Sequence, residues 1–210
     1  MKKFFTNVPL QVKGNLQRYT YEAVDNQKLN MAEPTSFPIL TAVNGYVEVG
    51  EEFRIIAVVP ESEDGRRNLE ALRKEITELC DRKGILCPRG VETMPAPADE
   101  RVANQVSAFQ NLIGFVDDDD ELFACITYGT KPLSKALLMA VQYAYRLKKN
   151  TSISGIVYGQ VDRSAGSDSQ DWRAYVYDET ALLQVDELVR VLAERGVADP
   201  KSTISRILSL

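Results

Sequence analysis

Residues 122–149, LFACITYGTKPLSKALLMAVQYAYRLKK, carry the pattern that decides the fold. The first six residues form a mostly apolar run, and a turn around Gly129 follows. From Pro132 onward, apolar residues recur every three or four positions. A short apolar run fits a strand covered on both faces, and the later spacing fits an amphipathic helix. The stretch therefore predicts a buried strand at 122–127, a tight turn and a long helix at 132–149.

Apolar runs and helical patterns alternate on both sides of this stretch. Residues 53–59, FRIIAVV, predict another buried strand, and 65–83 predict a helix that stops at Gly84. Further strands are expected at 3–10, 87–93, 153–161 and 173–177, and further helices at 39–46, 99–116, 181–195 and from Pro200. For 99–116, the helix is expected to begin at an Asp99 cap and to bury Val102, Val106, Phe109 and Ile113. Residues 16–30 have a mixed pattern without an assignment.

Strands that alternate with helices predict an α/β chain, with a Rossmann-like, mostly parallel sheet and helices on both faces. A chain of 210 residues is long enough for one such domain. Neither repeats nor a low-complexity linker divide it. We expect one domain over residues 1–196 and a short helical appendage over 197–210.

Composition excludes several classes of function. The chain has no histidine, which removes Ser-His-Asp and Cys-His catalysis and every histidine-ligated metal site. A net charge of −5 argues against a general surface for long nucleic acids. Because no apolar run reaches about 18 residues, no membrane span is expected. Three cysteines without CxxC spacing, Cys80, Cys87 and Cys125, indicate reduced thiols and a cytoplasmic location.

Common cofactor motifs are also missing from the sequence. There is neither a Gly-x-Gly-x-x-Gly turn nor a P-loop, so we expect no dinucleotide cofactor and no P-loop nucleotide hydrolysis. The acidic run 117–121 is predicted to be a solvated loop rather than a metal site, because consecutive carboxylates point in different directions. Trp172, in the polar segment 163–173, is either a lid residue that stacks on a base or an anchor onto the core, and we favour the anchor.

Two strand ends carry polar residues where ligands bind in doubly wound sheets. One is 6–11, TNVPLQ, and the other is 127–132, TYGTKP. In the second, Gly129 permits a close approach of the backbone to a ligand, and Thr130 can cap the helix. The helix N-terminus together with the Lys131 ammonium would attract an anion. An ordinary capped turn with a solvated Lys131 remains the alternative.

The stretch 123–133, FACITYGTKPL, resembles the second signature of CARF domains, the CRISPR-associated Rossmann-fold sensors. That signature is an apolar strand, a Thr-x-Gly-Thr-Lys-like turn and a long apolar helix. Residues 153–159, ISGIVYG, resemble the strand that follows in the family, and 176–192 resemble its strand-and-helix ending. Residues 4–9, FFTNVP, lie where its first ligand-contacting loop belongs. The resemblance covers residues 2–192, and its specific part is the turn centred on Gly129.

The resemblance implies a homodimer that binds a cyclic oligoadenylate, the second messenger of type III CRISPR defence. Implied ligand-binding residues are Pro9, Gln11, Thr127, Tyr128, Gly129, Thr130 and Lys131. Many family members carry a C-terminal effector domain, and the residues after Gly196 are too few for one. The resemblance therefore implies a stand-alone sensor domain.

Stand-alone CARF proteins that are enzymes are usually ring nucleases, which open the cyclic ligand. The resemblance thus allows metal-independent ring opening, with Lys131, Thr6 and Asn7 as candidate catalytic residues. A ribose 2′-OH would be the nucleophile, so neither a metal nor a cofactor is expected. Two alternatives stay open: a non-catalytic sensor or sponge that acts through a partner effector, and an α/β interaction domain without a nucleotide site.

Overall fold

The protein is described by a computed structural model over residues 1–10, 16–164 and 172–209. Within these ranges no helix is long and apolar enough to cross a lipid bilayer. The strands are β1 Lys2–Asn7, β2 Tyr21–Ala23, β3 Phe53–Val59, β4 Val91–Pro95, β5 Glu121–Cys125, β6 Ser152–Asp162 and β7 Arg173–Asp178. The α-helices are α1 Ile39–Tyr46, α2 Glu63–Lys83, α3 Val102–Ile113, α4 Lys131–Leu147, α5 Thr180–Glu194 and α6 Pro200–Leu208.

The described strands form one seven-stranded sheet in the order β2-β7-β6-β5-β1-β3-β4. From β6 to β4 every neighbouring pair is parallel, whereas β7 runs antiparallel to β6. The short β2, in the segment without a sequence assignment, pairs in parallel with β7. The prediction of an α/β chain with a mostly parallel sheet is confirmed.

Helices cover both faces of the sheet, and β1 shows how its side chains alternate between them. Phe4 belongs to a buried cluster with residues of α1 and α2, whereas Phe5 belongs to a second cluster with residues of α3 and α4. Successive side chains of a strand point to opposite faces, so an uninterrupted apolar run fills both cores. The predicted helices on both faces are confirmed.

Two predicted strands differ from the structure by three residues or more at one end, and local turns explain these differences. The strand expected at 87–93 is β4, Val91–Pro95. Residues 87–90 form a turn instead, closed by a hydrogen bond from the Gly90 amide to the Cys87 carbonyl. The first strand was predicted to reach residue 10 but ends at Asn7. Pro9 follows closely, and a proline cannot donate to the sheet.

The prediction for α3 is wrong in its start and in part of its buried face, since Phe109 and Ile113 pack against the second cluster as expected but Val102 and Val106 do not. The helix begins at Val102 rather than near Asp99, because the Asp99 carboxylate accepts from the Arg101 amide before the first turn. Ala108 and Leu112 are buried, whereas Val102 is 77% exposed and Val106 49%. Both faces of this helix carry apolar residues, so periodicity alone could not select the buried one. We call Val102 and Val106 the α3 stripe.

The acidic run before β5 is not wholly solvated, which corrects the prediction for this loop. Asp120 is only 3% exposed and forms an ion pair with Lys3 at 2.6 Å. Lys3, 1% exposed in β1, also donates to the Asp117 carboxylate at 2.6 Å and to the Phe115 carbonyl at 2.8 Å. A buried ammonium needs such partners because burial strips its hydration. Asp117 and Asp120 therefore hold the amino-terminal end of β1.

Candidate functional site

The centre of the sheet contains a topological switch point between β1 and β5. After β1 the chain first adds the short β2 at the far edge beside β7 and then returns to place β3 and β4 on one side of β1, before it crosses to β5 and β6 on the other side. Thr6 and Cys125 are partners in the register of β1 and β5, so both strands end at the same edge of the sheet. Loops that leave such strands in opposite directions open a crevice, which is where doubly wound folds bind ligands.

A direct contact links the two loops of the switch point. The side-chain Nδ2 of Asn7 donates to the Tyr128 carbonyl over 2.8 Å. Gly129, next along the loop, has a φ of 92°, and a Cβ at this position would lie 2.8 Å from Asn7 Nδ2. The turn therefore requires glycine at this position for two reasons: the backbone is left-handed, and Asn7 approaches it closely.

Thr127 and Tyr128 are held by contacts within the fold. The Thr127 hydroxyl accepts a hydrogen bond from the Gly159 amide at 2.7 Å, which joins the end of β5 to β6. The Tyr128 hydroxyl donates to the Ser36 carbonyl at 2.7 Å. Burial raises the pKa of Tyr128 above its ordinary value, so the phenol stays neutral at physiological pH. Both residues thus shape the site more than they offer reactive groups.

Helix α4 begins at this loop, but most of the hydrogen-bonding groups at its N-terminus already have partners within the protein. The Thr130 hydroxyl accepts from the Leu133 amide at 3.4 Å and donates to Glu100 Oε2 at 3.1 Å. The Ser134 amide bonds to the Thr130 carbonyl, and Pro132 has no N–H. Among the described contacts, the Lys131 amide is the first-turn donor that remains for a ligand. The helix N-terminus is therefore a weaker anion site than the sequence pattern suggests.

An open cleft of about 810 Å³ lies above the switch point. Its walls come from the loops after four neighbouring parallel strands: residues 7–10 after β1, Pro60 after β3, 96–100 after β4 and 127–130 after β5. Gln105 and Leu133 reach it from the first turns of α3 and α4. Convergence of four loops at one edge follows from the parallel sheet, because all four strands end there.

The described charges of the cleft are Asp99, Glu100 and Arg163. Asp99 is engaged with Arg101, whose side-chain hydrogen bond lowers the pKa of the Asp99 carboxyl. The Arg163 guanidinium lies 4.7 Å over the ring of Trp172. Trp172 is half-buried, and its ring contacts Arg163, a cation that lines the cleft. The role of Trp172 as an anchor or as a base-stacking residue stays a prediction.

Six of the predicted site residues line this cleft together: Asn7, Pro9, Thr127, Tyr128, Gly129 and Thr130. Thr6 does not, because it is buried and its hydroxyl donates to the Asn7 carbonyl at 3.4 Å. Lys131 is exposed at the start of α4 and is not part of the lining. Gln11 lies outside the described residues.

Sequence reasoning missed Glu100, Gln105 and Arg163. Their positions relative to the strands could have indicated them. Glu100 lies in the connection after β4, and Gln105 lies in the first turns of the helix that follows. Arg163 comes directly after β6. Loops after neighbouring parallel strands meet at one edge, so any polar residue just beyond a strand end is a candidate. Within the described ranges, no three Cys, Asp or Glu side chains are grouped as a metal site would require.

Comparison of the chain with family models and with curated proteins found no match.

Proposed function

We propose that this chain binds a cyclic oligoadenylate, the second messenger of type III CRISPR defence, in the switch-point cleft and as a homodimer. The observation that carries the proposal is the turn at Gly129, which resembles the CARF signature and packs on Asn7 in a cleft of about 810 Å³. A cleft of this size accommodates part of such a ring, and a homodimer would supply a second cleft for the rest. The strand-turn-helix arrangement that the resemblance implies is present, with β5 before the turn and α4 after it.

An acidic protein can bind such an anion through local donors. Arg163 lies at the cleft, and the ammonium and amide of Lys131 lie at the start of α4. The carboxylates of Asp99 and Glu100 oppose a phosphate nearby, so the phosphates would lie toward Arg163 and Lys131. Binding would weaken with added salt, because these cations are exposed.

The proposed homodimer has a candidate interface beside the cleft. A ring of identical nucleotides has rotational symmetry, and two copies of one site can match it. The α3 stripe exposes two valines in the first helical turns after Glu100, close to the wall of the cleft. A two-fold contact through this stripe would bury both valines and set two clefts side by side.

Metal-independent ring opening is a second candidate activity of the same site. The 2′-oxygen of one ribose would attack the adjacent phosphorus and displace the 5′-oxygen of the next nucleotide, which takes a proton from solvent. The products are a 2′,3′-cyclic phosphate and a 5′-hydroxyl. Glu100, a carboxylate in the cleft that accepts from Thr130, would take the proton of the 2′-OH. Arg163 would offset the charge that develops on the phosphate.

The positions of Thr6 and Lys131 instead favour a non-catalytic sensor or sponge that acts through a partner effector. Thr6 is buried with its hydroxyl bonded to the main chain, and Lys131 lies outside the cleft lining. Thr6 is therefore not placed for the catalytic role that the resemblance allows, and Lys131 can reach a phosphate only from outside the cleft lining.

One experiment separates these functions. The purified protein is titrated with labelled cyclic tri-, tetra- and hexa-adenylate, and the products are resolved after incubation. We expect saturable binding of at least one ring, together with a salt-dependent affinity. Cleaved products would establish the nuclease, whereas an intact ring would establish the sensor or sponge. Failure of all three rings to bind would overturn the proposed function and leave the interaction domain.

A further inference from the structure

Two side-chain amides at the cleft have their oxygen atoms unpaired. The Oδ1 of Asn7 and the Oε1 of Gln105 are buried atoms without a hydrogen-bond partner among the described residues. Asn7 itself is 1% exposed. A buried acceptor without a partner is uncommon, since its lost hydration is not repaid within the protein. Two such acceptors at one cleft suggest that a bound ligand supplies their hydrogen bonds.

The orientation of each amide follows from its other contact. Asn7 Nδ2 donates to the Tyr128 carbonyl at 2.8 Å, and Gln105 Nε2 donates to the Asp99 carbonyl at 3.0 Å. Rotating either amide by 180° would place its oxygen against a carbonyl oxygen, which is repulsive. The donor end of each amide is therefore fixed on the main chain, and the acceptor end is left over.

The carboxylates at the cleft have the same hydrogen-bonding character. Asp99 and Glu100 only accept hydrogen bonds when ionised, so this part of the cleft combines two amide oxygens with two carboxylates. A phosphate is also an acceptor and is repelled there. Groups that donate, such as an amine or a hydroxyl, are complementary to it.

We propose that Asn7 and Gln105 form a subsite for a hydrogen-bond donor of the ligand, and that the phosphates lie outside it, toward Arg163. This inference rests on the proposed ligand, whose donors are the exocyclic amine of adenine and the ribose hydroxyls. Both sources share one chemistry, an N–H or O–H directed at an amide oxygen. Asn7 then acts in specificity rather than in catalysis, because a neutral carboxamide that accepts from the ligand selects a donor and transfers no proton.

The test uses nucleosides, which carry the donors without the ring. Adenosine, purine riboside, which lacks the amine, and 2′-deoxyadenosine are titrated into the isotope-labelled protein, and the side-chain amide signals of Asn7 and Gln105 are followed by NMR. We expect one of the two analogues to bind about tenfold more weakly than adenosine, the loss of one hydrogen bond in a buried site. Purine riboside reports on the amine, and 2′-deoxyadenosine reports on the hydroxyl.

Variants connect that discrimination to the two amides. Gln105→Met keeps the length of the side chain and removes the acceptor, so the preference should fall to within about threefold. Asn7→Ala is a second test, and Gln110→Met, on an exposed position of the same helix, should keep the native preference. Equal affinity for the three nucleosides, absence of nucleoside binding, or an unchanged preference in both cleft variants would overturn the subsite.

A parallel titration with cyclic tri-, tetra- and hexa-adenylate separates this inference from the proposed function. Nucleoside discrimination with no binding of any ring would retain the subsite and reject the cyclic ligand. Binding of a ring without nucleoside discrimination would retain the cyclic ligand and reject the subsite.

Discussion

Asn7 Nδ2 lies 2.8 Å from the main-chain carbonyl of Tyr128 and donates to it. Asn7 ends β1 and Tyr128 lies in the loop before α4, so this hydrogen bond ties the two sides of the switch point together. Because Gly129 has no side chain, Asn7 can approach the loop closely. The floor of the cleft thus depends on a residue near the N-terminus and on a turn in the middle of the chain.

Gly129→Ala should therefore destabilise the protein by about 1–3 kcal/mol, because an alanine at this φ is strained and its Cβ would overlap Asn7. Gly50→Ala is the matched control, since Gly50 has a φ of 78° and open space around it. Urea denaturation of both variants measures the difference. An equal loss of free energy of unfolding in the two would mean that Asn7 does not pack on this turn.

Much of the fold could be predicted because its strongest elements are local patterns. Helix α1 has the predicted limits, and strand β3 is the apolar run 53–59. The buried face of α3 was predicted only in part: Phe109 and Ile113 pack on the core as the pattern indicates, but only tertiary packing selects Ala108 and Leu112 over Val102 and Val106. Likewise, nothing in the acidic run indicates which carboxylate meets Lys3, because that contact joins distant parts of the chain.

Only part of the site could be predicted, because some of its residues are adjacent in sequence and others meet only in the folded chain. The turn at Gly129 was visible because strand, glycine, cap and helix are adjacent in sequence. Glu100, Gln105 and Arg163 join this turn only through the order of the strands in the sheet. Similarly, the Thr130 hydroxyl at the start of α4 donates to Glu100, which is distant in sequence, so this contact could not be predicted.

Lys131→Ala should weaken binding of a cyclic oligoadenylate without lowering the melting temperature. Lys131 is exposed at the start of α4, so its loss removes charge near the ligand and little packing. A charge-assisted contact is worth about 1.5–3 kcal/mol, which sets the upper range of the loss. Lys135→Ala, one turn later and also exposed, should bind normally. Equal affinities of the two variants in isothermal titration would place the phosphates away from Lys131.

The α3 stripe provides a test of the proposed dimer. Val106→Glu should shift the protein from dimer to monomer in light scattering, because it would bury a charge at the interface. Asn111→Asp introduces a charge on an exposed position of α3 that faces away from the stripe, and it should leave the dimer intact. A native protein that stays monomeric at micromolar concentration, with and without cyclic oligoadenylate, would contradict the dimer itself.

Stability should decline in acid in part through the pair Arg54–Glu92. Arg54 donates to both carboxylate oxygens of Glu92, at 2.7 and 2.8 Å, and this hydrogen bonding lowers the pKa of Glu92 below its ordinary value. A carboxyl with a lowered folded-state pKa stabilises the fold above its unfolded pKa, and the contribution disappears as the pH falls through the folded value. We expect Glu92→Gln and Arg54→Gln each to lose about 1 kcal/mol at neutral pH and much less near pH 3. A loss that is the same at both pH values would exclude this pair as a source of the acid sensitivity.

If the chain opens its ligand, the chemistry should persist in EDTA, since the nucleophile is the ligand's own 2′-OH. Products should then carry 2′,3′-cyclic phosphate ends, detectable by mass spectrometry. Glu100→Gln should slow cleavage about 100-fold or more, because general-base catalysis contributes at least this much and a carboxamide cannot take the proton. The variant still accepts from Thr130, so binding should change little.

A ring with 2′-deoxy sugars should resist cleavage even by the native protein. Cleavage of that ring, or activity that appears only after Mg²⁺ is added, would contradict the mechanism. Binding of every ring without products would instead assign the cleft to a receptor.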